Sequence, residues 1–212
     1  MRDFPVFTTE YGVGSLVLKE IPYRGDAYIT VRSSSQPEVF LEECTAFCKA
    51  VGAKAVYATG HQVLENYQPF MSVIQMSASW ETIPRTDACL FPVTDTTLSK
   101  WQEIYNDKMK GVDNASYMSD RLAQQMLDRG DGYFVHRDGQ LLGIGKASEE
   151  RIECVASCIH GKGKDVVCAL VHALMFDRVV LEVASTNHRA IRLYESLGFL
   201  KNAEISRWYK IF

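Results

Sequence analysis

The sequence predicts an α/β protein of the α+β kind, in which strands and helices each turn one apolar face into a core. Three observations carry that reading. The tripeptide Arg137-Asp138-Gly139 lies between two β-rich runs, "GYFVH" and "QLLGIGKA". It reads as a hairpin because Asp-Gly tolerates the positive φ of a tight turn. Val167, Leu170, Val171 and Leu174 recur at i, i+3, i+4 and i+7, the spacing of one helix face. "RVVLEVA" is almost wholly apolar, as a strand covered on both faces must be.

The elements follow in order. "SLVLKEI" and "AYITVRS" are β-rich runs joined by the turn formers of "PYRGD". "PEVFLEECTAFCKAVG" predicts a helix with Pro37 in its first turn, Phe40, Cys44, Phe47 and Val51 on one face, and Gly52 at its end. "AKAVYAT" and "FMSVIQMSASW" read as strands, so residues 1–85 form a ββαββ segment. The apolar periodicity stops in "ETIPRTDACLFPVTD", and a boundary falls there, near residue 85. A helix over 96–110 keeps Leu98, Trp101, Tyr105, Met109 and Val112 on one face; a second, over 116–129, carries Met118, Leu122 and Met126 and meets Gly130. The hairpin follows, then the strand "RIECVASCI", a helix over 164–176, the strand "RVVLEVA", a helix over 187–197 and the strand "AEISRWYKI".

Composition narrows the function. A chain of 212 residues buries a sizeable core, as one large domain or two small ones. A net charge of −3 without long runs of like charge argues against a dedicated nucleic-acid binder. No window approaches the ~20 apolar residues that span a bilayer. "MRDFPVFTTEYGVG" has neither an apolar h-region nor a small-residue cleavage pattern. The expectation is a cytoplasmic protein with no nucleic-acid or membrane partner. Its six cysteines are then expected to be reduced, most of them small buried hydrophobes.

"IHGKGKDVVCALVHAL" places two glycines and two lysines between a predicted strand and a predicted helix. Backbone N–H groups at a helix start attract anions, and glycine lets a ligand approach the backbone. The stretch reads equally as a solvated connector. It is neither a Walker loop nor a G-x-G-x-x-G fingerprint.

Residues 86–212 resemble the GNAT superfamily of acyl-CoA-dependent N-acetyltransferases. The resemblance rests on the element order, on "HGKGKD" in the place of the family's Arg/Gln-x-x-Gly-x-Gly/Ala pyrophosphate loop, and on "LEVASTNHRAIRLYESLGF". The last matches the family's strand-Asn-x-x-Ala-x-x-x-Tyr-x-x-x-Gly-Phe block. It implies a mixed, mainly antiparallel sheet flanked by helices, with acetyl-CoA as donor and an amine of a small molecule or peptide as acceptor. No metal is expected. Two positions depart from the loop pattern: His160 stands where the family has Arg or Gln, and Asp165 where it has Gly or Ala.

The resemblance also implies roles. The backbone of Cys154, Val155 and Ala156 would pair with the pantetheine arm. The N–H groups of Gly161, Lys162, Gly163, Lys164 and Asp165, beside His160, would hold the pyrophosphate. Tyr194 is the family's general-acid position, although its helical spacing with Ala190, Leu193 and Leu197 also suits a packed core aromatic. Asn187 serves as helix cap or cofactor contact. Glu153, on the strand that should meet the substrate, is the first choice for general base; strand alternation equally suits a solvent-facing or structural role. Cys154, Cys158, Cys168 and His172 raise a zinc reading, against which even strand spacing favours core packing. The 1–85 segment looks loosely like a worn half of the same fold, with "SSSQPEV" in the loop's place. Such a piece suits an acceptor pocket, an interface such as that of a homodimer, or plain packing support. The competing function is a non-catalytic acyl-CoA-binding or interaction domain.

Overall fold

The computed structural model describes residues 5–113 and 115–212. They form two compact units: one runs up to Ser72 and includes Glu204–Phe212, the other is Val73–Ala203.

In the first unit, β1 (Val6–Thr8), β2 (Gly12–Val17), β3 (Asp26–Ser34), β4 (Ala55–Thr59) and the end of β11 (Leu200–Lys210) lie side by side in that order. β3 and β4 are parallel and the other neighbours antiparallel. The "PYRGD" stretch is a one-turn helix, α1 (Ile21–Arg24), closed by the Gly25 N–H donating to Ile21 O, rather than an open turn. The crossover from β3 to β4 is α2 (Pro37–Ala50), which buries Phe40, Leu41, Cys44 and Cys48 on Ile29, Val31, Val56 and Ala58. Phe47 and Val51, expected on that face, are 39% and 44% exposed. At 100° per residue the true stripe is continued by Leu41 and Cys48, and Phe47 instead meets the Phe7 ring at its margin. β1 was not legible because three residues carry no measurable alternation.

The second unit orders its strands as the greater part of β5 (Gln68–Ser79, from Val73 on), β10 (Arg178–Ala184), β9 (Arg151–Ser157), β8 (Gln140–Ser148), β7 (Gly132–Arg137) and β6 (Cys89–Pro92). The sheet is mixed and mainly antiparallel, with β9 and β10 its parallel pair. β6 occupies the stretch where periodicity stopped; as an edge strand with Phe91 exposed it has no strict alternation to read. The β7–β8 turn has positive φ at both Asp138 and Gly139, as the dipeptide predicts.

One sheet face is covered by α5 (Gly163–Leu174) and α6 (His188–Ser196), which seat Val167, Leu170, Val171 and Tyr194 against Val179, Leu181 and Phe199. The other is covered by α3 (Leu98–Met109) and α4 (Asp120–Arg129), with Trp101, Tyr105 and Met126 against Ile144 and Ala156. α4 starts at Asp120 rather than 116, because the Ser119 side chain accepts from Leu122 N and fixes the cap there. Trp101 is fully buried and donates Nε1–H to Tyr133 O at 3.1 Å. Trp101→Ala is expected to cost ~3–5 kcal/mol, read as a lower denaturant midpoint.

Candidate functional site

The site grows from one irregularity in β9. Lys146 pairs with Cys154 but its neighbour Ala147 pairs with Ile152, so Glu153 is an inserted residue, a β-bulge. The insertion reverses the strand's faces. Ile152 packs with the α5–α6 core, whereas Cys154, two residues on, packs with the α3–α4 core; on a regular strand they would share a face.

The bulge also ends the parallel pairing. β9 and β10 are in register only at Arg151–Val180 and Ile152–Leu181. Beyond that point β9 stays paired to β8, and β10 to β5, through their outer edges. Their inner edges, Cys154–Ser157 and Glu182–Val183, line a cavity of about 610 Å³. Backbone N–H and C=O groups left open on facing strands must be satisfied by something, and an extended chain between them can do that on either edge.

The remaining walls come from three helices and the loops beside them. Tyr105, Lys108 and Met109 of α3 close one side, Gly161, Gly163 and Lys164 the end of β9, and Asn187, Arg189 and Tyr194 the side of α6. Gly161 holds φ +80°, a conformation that suits glycine, and a Cβ at Gly163 would stand 3.0 Å from Leu193 Cδ2. Lys162, the N-cap of α5, makes no side-chain cap bond. The start of α5 therefore offers N–H groups and the positive end of its dipole. Lys164 and Arg189 add two cations that form no ion pair among the described residues.

Asp165, the residue that should repel an anion here, points elsewhere. Its Oδ1 accepts from Arg137 Nη2 at 2.7 Å, and Lys162 Nζ lies 3.8 Å from its Oδ2. His160, Lys162 and Asp165 are not part of the cavity wall, whereas Glu153, Cys154, Val155, Ala156, Gly161, Gly163, Lys164, Asn187 and Tyr194 are. Asn187 Oδ1 accepts from Ala190 N at 3.1 Å and so caps α6.

Tyr194 is 8% exposed, and its hydroxyl makes no hydrogen bond among the described residues. Burial, and then the Cys154 thiol nearby, push its pKa well above the usual tyrosine value. Burial pushes the Cys154 thiol itself up to about 12. The cavity thus holds a neutral phenol and a neutral thiol. Glu153 is ion-paired with Lys146, and Glu182, on the opposite lip, with Arg151 at 2.6 Å.

Sequence reasoning missed Tyr105, Lys108, Glu182 and Arg189. Arg189 lies inside the Asn187–Ala190 block and was within reach; the other three are brought in by strand register and helix packing, which leave no local trace. All six cysteines are free thiols. Among the described residues no three His, Cys, Asp or Glu side chains group as a metal site, and His172 Nε2 bonds Pro84 O instead. No helix among them is long and apolar enough to cross a membrane.

No protein-family model and no curated protein matches the chain. Solved structures do. A GCN5-related N-acetyltransferase from Anabaena variabilis aligns with TM-score 0.65 at 13% identity, over 98% of this chain and 62% of that one. One from Sphaerobacter thermophilus aligns with TM-score 0.58 at 11% identity, over 93% and 75%. A tandem GNAT protein from the clavulanic acid biosynthesis pathway aligns with TM-score 0.57 at 12% identity, over 94% and 78%. At such identities the likeness speaks of architecture, and the architecture of this chain is the GNAT fold.

Proposed function

We propose that the protein is an N-acetyltransferase that moves an acetyl group from acetyl-CoA to a primary amine, on a small molecule or a peptide, by direct transfer within a ternary complex. The observation that carries this reading is the wedge between β9 and β10, with open backbone edges on both lips and, in its wall, a buried tyrosine whose hydroxyl makes no hydrogen bond among the described residues.

The residues present fit an acyl-CoA. The open edge at Cys154, Val155 and Ala156 would bond the amide-bearing pantetheine arm as an added strand. The α5 N-terminus with Lys164 and Arg189 would face the phosphates, and Asp165, neutralised by Arg137, does not oppose them. When bound, acetyl-CoA supplies the activated acyl group. Glu153 takes the proton of the attacking amine, directly or through one water. A backbone N–H of the β9 edge stabilises the oxygen of the tetrahedral intermediate. Tyr194, kept protonated by its burial, gives a proton to the departing sulfur.

The first unit supports a role as companion half. Its β3–α2–β4 repeats the strand-helix-strand plan of β9–α5–β10, but β3 and β4 pair without interruption from Asp26–Ala55 to Thr30–Thr59. A closed pair has no wedge, so we assign the donor site to the second unit alone.

The test is release of free thiol from acetyl-CoA in the presence of a panel of primary amines, with acetylated product identified by mass. Amine-dependent release supports the reading. Stabilisation by acetyl-CoA without turnover on any amine would favour a non-catalytic acyl-CoA-binding domain instead, the alternative that His160, outside the wall, keeps open.

A further inference from the structure

Glu153 is held by more than its own strand. As the inserted residue of the bulge it has no cross-strand partner of its own, so its backbone alone does not aim its carboxylate. Lys146 of β8 donates through Nζ to Glu153 Oε2, and Ser148 Oγ lies 3.5 Å from Oε1. The same ammonium lies 3.7 Å from Asp131 Oδ2, at the start of β7, which Arg129 Nε reaches at 3.2 Å. Asp131 is 3% exposed, and its Oδ1 has no hydrogen-bond partner among the described residues. The Lys146 side chain is 12% exposed.

Such a buried pair is an expensive way to build stability. Taking a carboxylate and an ammonium out of water costs more than most surface pairs return, and here one carboxylate oxygen has no hydrogen-bond partner among the described residues. The arrangement does accomplish something else. It anchors a long, flexible ammonium from the inside and offers it to Glu153, the carboxylate on the β9 lip where β9 and β10 part.

We propose that Lys146, seated on the buried Asp131, is the positioning residue that fixes the Glu153 carboxylate at the vertex of the wedge. The inference rests on Glu153 being the base in the reading above. The groups that act on Asp131 are Lys146 from β8, Arg129 from the end of α4 and Glu153 from β9. Burial raises its pKa, the two cations pull it down, and Glu153 pushes it up. Glu153 faces Lys146 and, along its own strand, Cys154. Asp131 therefore reports on both partners.

The experiment follows the Asp131 carboxyl by carbon-13 NMR through a pH titration of the full chain. Its midpoint is expected to fall in Glu153→Gln, which removes a neighbouring negative charge, and to rise in Lys146→Met, which removes the cation. Lys146→Arg, which keeps the charge, is expected to restore it. An Asp131 midpoint that is the same in wild type, Glu153→Gln and Lys146→Met would overturn the proposal.

A second arm uses acetyl-CoA with benzylamine as the probe amine. Lys146→Met should lower kcat ~100-fold, the effect of a misplaced catalytic group, and leave KM for acetyl-CoA unchanged. Lys146→Arg should recover most of the loss. Wild-type kcat in the double variant Asp131→Asn/Lys146→Met would show that Lys146 only neutralises Asp131, and would overturn the proposal. If wild type itself stays inactive, the reading of Glu153 as base loses its support, while the titration still decides whether the three groups are joined.

Discussion

Tyr194→Phe is expected to lower amine acetylation by ~10²–10³-fold, within the range that a positioned general acid contributes, while acetyl-CoA still binds. The change removes one oxygen. It leaves the ring's contacts with Phe199 and the α5–α6 core in place, so unfolding temperature should hardly move. Because that hydroxyl has no hydrogen-bond partner among the described residues, its removal orphans nothing in the free protein. The pH behaviour gives a second signature. Burial holds the phenol protonated above its ordinary value of about 10. Tyr194 should therefore contribute no alkaline loss of activity across the neutral range. Steady-state rates of wild type and variant over that range check both statements. Undiminished turnover in Tyr194→Phe would remove the tyrosine from the chemistry and leave it a core aromatic.

Gly161→Val is expected to abolish stabilisation by acetyl-CoA. At φ +80° a β-branched side chain is strained, by ~1–3 kcal/mol where the backbone is held. The chain relieves that strain most readily by turning the 160–163 backbone, and with it the N–H groups that open α5. No atom lies within 4 Å of a Cβ at Gly161, so the effect comes from the backbone and not from a clash. The variant's own melting point should drop by at most ~2–12 °C, at ~2–4 °C per kcal/mol for a chain of this size. Gly163→Ala meets only the flexible end of Leu193 and should keep part of the ligand response. Thermal unfolding of the two variants with and without acetyl-CoA separates the cases.

What the sequence made legible follows the reach of local physics. The helices α2 to α6 and the β7–β8 turn rest on periodicity, caps and Asp-Gly, all of which act within a few residues. The Asn187–Tyr194 stretch was legible for the same reason: its cap and its helix face lie in one segment. β1 and β6 were not, since strands of three and four residues at a sheet edge alternate too briefly to register.

The lining of the candidate cavity was half legible. Gly161, Gly163, Lys164 and Tyr194 sit in contiguous motifs, and the fold brings them to one cavity. The wedge depends on where β9 stops pairing with β10, a consequence of the single insertion at Glu153 that becomes visible only against β8. The Asp131–Lys146–Glu153 chain is a product of register between three strands, and Asp165 is neutralised by an arginine 28 positions away. Neither leaves a mark on local sequence.

Thermal unfolding of the wild-type protein with acetyl-CoA, free CoA and ATP tests the central claim most directly. Ligand at ~100 times its dissociation constant adds ~2.7 kcal/mol, or roughly 5–10 °C at this chain length. A rise of that size with both CoA species and not with ATP is the expected result. An unchanged transition with acetyl-CoA and CoA at millimolar concentration would contradict the claim that the wedge between β9 and β10 receives an acyl-CoA.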